Sequence, residues 1–152
     1  AQVMDLQSYW STRDRQRPVN PNLAENHDYI YTDITVKVEK VLDGKTSVGN
    51  LLHLMENGGQ VGEDQLVIED VYDAFTPGQK VLLYLSLRTN PDTNEQFYII
   101  NERYWINQAT QTVTNPFFQK PLSIILTEID EVNQMKQEIK EGRFTPPPLP
   151  SQ

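Results

Sequence analysis

The chain has no cysteine among its 152 residues and only two histidines, His27 and His53. Without cysteine there is no disulfide framework, no thiol nucleophile and no thiolate metal site. This absence fits both a cytosolic protein and an exported one, because many proteins that Gram-positive bacteria export also lack cysteine. A metal site built on histidine needs two or three imidazoles with carboxylate support. The two histidines lie in different predicted elements, a polar loop and a strand, so we expect neither a metal nor another cofactor.

Long apolar runs and catalytic motifs are lacking as well. No stretch approaches the roughly 18 apolar residues that a membrane helix needs. No signal peptide is visible, and the chain begins at Ala1 without an initiator Met, as a mature or trimmed protein would. No serine stands in a Gly-x-Ser-x-Gly elbow. The glycines of "NGGQVG" lack the Lys-Ser/Thr of a phosphate loop, so they are predicted to form a hairpin turn.

Positive charge is scarce. The net charge is -8, and residues 21–79 hold three Lys against eleven Asp or Glu. Nucleic-acid binding depends on Lys and Arg that neutralise phosphates, so we expect no nucleic-acid partner. The one basic cluster is Arg13, Arg15 and Arg17, in a predicted exposed loop over residues 13–28. It is expected to be a solvated loop, with a binding patch as the alternative.

Acidic and polar clusters are also predicted to be structural. Asp92 and Asn94 are placed as the start of an EF-hand loop would be, but Phe97 and Arg103 replace the required Gly and Glu, so we expect a turn. A glycosidase would need two carboxylates that flank a cleft, and no motif indicates them. A solvated face, with a weak cation site as the alternative, is expected for the remaining acids: Glu63, Asp64, Glu69, Asp70 and Asp73.

What the chain does have is period-two alternation, clearest in "IYTDITVKVEKVLDGK" at residues 30–45. The apolar positions from Ile30 to Val38 share one face and polar residues share the other, which predicts a half-buried antiparallel strand. The phase slips after Val38, which predicts a bulge or bend, and Asp43-Gly44 marks a turn.

Further strands are predicted on both sides of this one. Residues 2–12 favour a first strand, with a helix as the alternative. The run at 81–87 is apolar on both faces at first, so we place it centrally in the sheet, after a type II turn at Pro77-Gly78. The other predicted strands are Val48–Met55, "DQLVIED", "FYII", "RYWIN" and "TQTVTN", the last pairing back on residues 104–107. Seven or eight short strands at regular spacing are typical of a barrel or sandwich.

The period changes near the C-terminus. Leu122, Ile125, Ile129, Val132 and Ile139 recur at helical spacing, which predicts a helix over about 122–141. The "TPPPLP" segment cannot continue a helix, so residues 143–152 are predicted to form an extended polyproline II tail. Residues 1–142 are predicted to form one domain.

Several motifs in residues 30–107 resemble a known kind of domain. They are "VEKVLDGK", the glycines Gly58, Gly59 and Gly62, "FTPGQKVLLYL" and "FYIINERYWIN". This order is similar to that of small extracytoplasmic bacterial domains of unknown function, which have an OB-type or netrin-like barrel. The resemblance implies export and a non-catalytic role, and it implies no particular ligand.

We therefore expect a mainly β chain, an OB-like antiparallel barrel of five to eight strands with one C-terminal helix. The expected function is that of a non-catalytic binding or accessory module, located outside the cell or in the bacterial cell envelope, with an unidentified protein or envelope ligand. A cytoplasmic location, an assembly subunit of a surface or phage particle, and a carboxylate-dependent hydrolase are the alternatives. OB barrels bind ligands with exposed strand aromatics. The candidate ligand or partner contacts are Tyr29, Tyr31, Trp10, Trp105, Arg13, Arg15 and Arg17.

Overall fold

A computed structural model of the chain describes residues 1–12, 14–18, 29–68, 72–143 and 145–146. Within those ranges lie nine strands and one helix. In chain order they are β1 (Gln2–Trp10), β2 (Ile30–Lys37), β3 (Leu51–Asn57), β4 (Gly59–Val61), β5 (Asp64–Leu66), β6 (Val81–Thr89), β7 (Gln96–Asn107), β8 (Thr112–Asn115), β9 (Phe118–Pro121) and α1 (Leu122–Lys140). The prediction of a mainly β chain with a C-terminal helix is confirmed. No helix in the described part of the chain is long and apolar enough to span a membrane.

Seven of the strands form one mixed sheet. Its order is β1-β2-β3-β7-β8-β9, and β6 pairs with β7 beside this path. All the ladders are antiparallel except the short parallel contact between β3 and β7. The prediction of a wholly antiparallel sheet is therefore wrong. The ladders do not close the sheet. Beyond them, Ala1 and Val81 exchange two backbone hydrogen bonds, each 2.9 Å long, which link the start of β1 to the start of β6.

The inner face of this sheet carries the main core. Alternation along β2 turns Ile34 and Val36 inward, and both are fully buried. Leu54 on β3 and Val81 on β6 meet them there, together with Val3 and Phe75. β4 and β5 form a separate hairpin.

Helix α1 covers part of the outer face. Ile125 and Ile129 pack with Val113 of β8 in a second apolar cluster. The helix is also held by the β2–β3 loop, because Asn133 donates a 2.8 Å hydrogen bond to the Leu42 carbonyl. The helix does not cover the rest of the outer face, over β2, β3 and the first half of β7.

Most of the predicted elements are found, and three details differ. β2 ends at Lys37, so the slip after Val38 marks the end of the strand and not a bulge within it. "FYII" and "RYWIN" belong to one strand, β7, which has a register shift opposite Tyr84 and Leu85. The central placement of residues 81–87 is wrong, because β6 pairs with β7 alone among the strands. The central strand is β7, which pairs with β3, β6 and β8. β6 is apolar on both faces because Leu83 contacts the main core and Leu82 contacts the helix cluster.

Candidate ligand groove

Two adjoining cavities lie at β2, β3 and β7; the first is lined by outward side chains of these strands, and the second is lined also by the inward-turned Arg103. One has a volume of about 400 Å³ and the other about 440 Å³, and both are lined by Met55 and Phe97. Met55 and Phe97 therefore lie between the two cavities, which adjoin. We call the pair the ligand groove. The first cavity is lined by Arg15, Tyr31, Asp33, His53 and Glu95, among others, and the second by Tyr29, Glu56, Tyr72, Ile99 and Arg103, among others.

Strand alternation explains why these side chains meet. Ile30, Ile34 and Val36 face the core, so the intervening Tyr31 and Asp33 face outward. On β3 the buried Leu54 leaves its neighbours His53 and Met55 on the outer face. The register pairs Asp33 with Met55 and Thr35 with His53, which brings the two strands' outward residues side by side. Phe97 follows from β7 across the parallel contact.

One end of the groove combines a cation with two neighbouring aromatic rings. Tyr9 and Tyr31 lie on neighbouring strands with their ring centroids 5.8 Å apart. The Arg15 guanidinium lies 4.5 Å from the centroid of the Tyr9 ring, a separation at which a cation is attracted to an aromatic face. The Arg15 backbone is in the left-handed region, with φ at 59°. Arg15 is therefore held over the groove by its ring contact and by its backbone.

Hydrogen-bond donors and hydrogen-bond acceptors both line the end of the groove near Tyr31. The His53 Nδ1 atom lies 3.1 Å from the nearer Asp33 carboxylate oxygen, and both side chains are partly exposed. Glu95 adds a second carboxylate. Burial raises the pKa of the Tyr31 hydroxyl, and the nearby Arg15 partly offsets that rise. Tyr31 is therefore neutral at physiological pH and can both donate and accept a hydrogen bond.

The other end of the groove is built on a buried arginine. Arg103 is only 5 % exposed and lies 2.5 Å from a Glu56 carboxylate oxygen. Its guanidinium lies near two rings, 4.6 Å from the centroid of Tyr72 and 4.8 Å from that of Phe75. A guanidinium packs well on aromatic faces, so these contacts add to the ion pair. We infer that it supports the groove wall.

The residues named from sequence are distributed unevenly. Tyr29, Tyr31 and Arg15 line the ligand groove. Arg17 instead pairs with Asp64 at 2.6 Å, which raises the pKa of the guanidinium, and Arg13 lies outside the described residues.

Neither tryptophan lines the groove: Trp10 is buried and Trp105 is half-buried. Trp10 is 6 % exposed, and Trp105 packs against the main core with its ring 6.1 Å from Tyr72 and 6.5 Å from Phe75. The indole nitrogens of both are buried and have no hydrogen-bond partner among the described atoms.

Among the residues that line the groove, sequence reasoning did not identify Asp33, His53, Phe97 or the buried Arg103. The alternation of β2 places Asp33 on the same face as Tyr31, so that signal was available. The proximity of His53 and Phe97 depends on strand register, which the sequence does not encode locally. Arg103 turns inward because Asn101, opposite Tyr84 and Leu85, shifts the phase of β7 by one residue.

A separate cavity of about 540 Å³ lies between α1 and the outer face of β6 and β7. Tyr84 and Tyr104 line it, and burial is the main cause that raises the pKa of both hydroxyls. A hydrogen bond that Tyr104 donates to Glu102 raises the Tyr104 pKa further. At its edge Lys136 binds Asp43 at 2.8 Å and holds the pKa of that carboxyl below its usual value.

Some of the polar clusters named from sequence can also be placed. No group of three or more metal-ligating side chains occurs in the part of the chain that the structure describes. His27, Glu69 and Asp70 lie outside that part. The predicted turn near Asp92 is confirmed, since the Asn90 side-chain oxygen accepts a 2.9 Å hydrogen bond from the Asp92 amide.

Comparison with known proteins yields no relative. No protein-family model matches the chain, and the curated proteins and the solved structures give no significant match either. The site must therefore be interpreted from its own geometry.

Proposed function

We propose that this chain is a non-catalytic binding module of the bacterial cell envelope, acting outside the cytoplasm, and that its ligand lies in the groove over β2, β3 and β7. The observation that carries the proposal is the pair of adjoining cavities that share Met55 and Phe97. Ligand sites are concave and combine apolar side chains with a few placed polar groups.

An OB-type barrel is the architecture we propose for the curved part of the sheet. Support comes from the strand sequence β1-β2-β3-β7-β6, from the parallel contact of β3 with β7, and from the paired bonds of Ala1 with Val81. In OB barrels the face of the second and third strands, with the loops around it, binds the ligand. The ligand groove occupies the corresponding face here.

The location in the envelope rests on the resemblance of residues 30–107 to small extracytoplasmic bacterial domains, and the absence of cysteine is compatible with it.

Cosedimentation with purified peptidoglycan sacculi tests the proposal. The wild-type protein should pellet with the sacculi, and Tyr31→Ala and Phe97→Ala should each leave most of it in the supernatant. Tyr84→Ala is the matched control, because it removes a sheet tyrosine outside the groove. Wild-type protein that stays in the supernatant would contradict the envelope assignment. Groove variants that pellet like the wild type would contradict the site.

An assembly subunit is the second candidate, favoured by an apolar stripe on the second half of α1. Val132, Met135 and Ile139 are each about half exposed there, and contiguous exposed apolar surface marks interaction sites. Under this alternative the stripe packs against a second copy of the chain. A solution mass that doubles with concentration in the wild type, and not in Ile139→Lys, would support it. A monomer at every concentration would exclude it.

A further inference from the structure

We propose that the groove binds an uncharged saccharide chain, with successive sugar rings laid along β2, β3 and β7. This rests on the proposed function and specifies its ligand. The inference depends on the position of the groove, on its aromatic rings and on its balance of charge.

The position of the groove argues against recognition of a peptide by strand addition. β2 is paired along its length with β1 on one side and β3 on the other. Its backbone groups are therefore already used, and an added peptide strand requires a free edge. The groove lies over the face of these strands, so a ligand there meets side chains. A sugar, which offers hydroxyls and ring faces, is suited to such a surface.

Three aromatic rings line the groove. Tyr31 lines the first cavity, Tyr29, which is 40 % exposed, lines the second, and Phe97 lines both. The tyrosines combine an apolar ring with a polar tip, and a pyranose likewise has an apolar C–H face and polar edges. The C–H faces of consecutive sugars can pack on these rings while their hydroxyls meet the polar side chains.

The polar groups supply both donors and acceptors. The Arg15 guanidinium donates, the carboxylates of Asp33 and Glu95 accept, and the Tyr31 hydroxyl does both. A hydroxyl donates one hydrogen bond and accepts others, so a sugar satisfies all of these groups. These partners are also held in place before a ligand arrives, by the contact of Arg15 with Tyr9 and of Asp33 with His53. Preorganisation of this kind lowers the entropic cost of binding.

The charge of the groove disfavours a polyanion. In the first cavity one guanidinium faces two carboxylates, and in the second Arg103 is already paired with Glu56. A chain of phosphates or uronic acids would bring further negative charge to this surface, and the protein as a whole carries -8. A neutral chain meets no such repulsion.

Calorimetric titration with two soluble probes of equal length tests the inference. The probes are chitotetraose, which is neutral, and tetragalacturonate, which carries a carboxylate on each sugar. We expect saturable binding of chitotetraose and at least tenfold weaker binding of tetragalacturonate. Tyr31→Ala and Phe97→Ala should each weaken chitotetraose binding about tenfold, the equivalent of one lost ring contact. Tyr84→Ala should leave its affinity unchanged.

A charge variant separates the two kinds of ligand. Glu95→Gln keeps the shape and a hydrogen-bonding oxygen but removes one negative charge. It should raise the affinity for tetragalacturonate and leave that for chitotetraose within about threefold, the range of an exposed charge effect. All variants are first compared with the wild type by circular dichroism. Arg15→Gln, at an exposed position, replaces any ring variant that does not fold and should also weaken chitotetraose binding.

The outcomes distinguish this inference from the proposed function. Sacculus binding that depends on Tyr31 and Phe97, without saturable binding of chitotetraose, overturns the saccharide while the groove survives. Tighter binding of tetragalacturonate than of chitotetraose overturns the uncharged ligand. Chitotetraose binding that Tyr84→Ala abolishes and Tyr31→Ala spares overturns both proposals.

Discussion

Replacement of Gly59 by alanine is expected to destabilise the fold more than the same change at a glycine that has open space around it. Gly59 begins β4 and lies against β1 and β2, with φ at +136°. A Cβ atom there would lie 2.5 Å from Thr32 Oγ1, closer still to Ser8 Oγ, and 3.0 Å from Ser8 Cβ. Ser8 and Thr32 hydrogen-bond to each other at 3.0 Å, and Thr32 also donates to the Gly58 carbonyl at 2.8 Å. The clash therefore falls on side chains that are already fixed.

The magnitude has two parts. The unfavourable backbone conformation costs about 1–3 kcal/mol for a residue with a side chain, and the overpacked contact costs about 1–3 kcal/mol. We expect Gly59→Ala to lower the free energy of unfolding by about 4 kcal/mol, the middle of the summed range of about 2–6 kcal/mol. Gly62→Ala is the matched control, because Gly62 also has positive φ, at +60°, but has open space where the Cβ would be. It should lose only about 1–2 kcal/mol.

Urea unfolding followed by circular dichroism measures both variants, and equal m-values allow their midpoints to be compared. A double-mutant cycle identifies the clash. Because Ser8→Ala removes the oxygen nearest to the new Cβ, Gly59→Ala should cost at least about 1 kcal/mol less in that background. A loss for Gly59→Ala no larger than that for Gly62→Ala would refute the reasoning, as would an absence of coupling with Ser8.

Three further predictions concern the charged and phenolic groups. Arg103→Met should cost about 3–5 kcal/mol in urea unfolding, because it leaves the partly buried Glu56 carboxylate without its partner; a loss below about 1 kcal/mol would show that the pair is not structural. The carboxyl of Asp43 should titrate below its usual pKa by NMR and rise toward that value in Lys136→Met, with the Gly44 amide still donating to it. Since its folded-state pKa is the lower one, the stabilisation from this pair is present near neutrality and is lost as the pH falls through that pKa, below about pH 4. Tyr104 should ionise above its usual pKa in ultraviolet titration, and Glu102→Gln, which removes the negative charge of its acceptor, should reduce the rise without abolishing it, because burial is the larger cause.

The sequence predicts the elements better than their arrangement. Alternation in β2 and the helical period in α1 are local signals, and each matches its element to within a few residues. The central position of β7 has no local sequence signal, because it depends on a parallel contact with β3 of only two residue pairs. The double-sided apolar pattern of β6 predicted a central strand, since the sequence cannot distinguish a neighbouring strand from a helix as the cover of its second face.

In the candidate site, too, the sequence predicts local features better than contacts between distant residues. The outward placement of Tyr31 is visible in the alternation, whereas Trp10 and Trp105 are equally aromatic but pack away from the groove, Trp10 buried and Trp105 half-buried. Composition does not separate a core ring from a ligand ring, because both are apolar. The contacts of Asp33 with His53 and of Arg103 with Glu56 join residues 20 and 47 positions apart, so they exist only once the register is set.

The account depends most on the claim that the ligand lies over β2, β3 and β7. Amide chemical-shift mapping of the full chain during titration with chitotetraose tests this claim directly. We predict that the largest shifts fall on Tyr31, His53 and Phe97 and their strand neighbours, saturate together and are lost in Tyr31→Ala. Shifts that are largest along α1, or that never saturate, would contradict the account.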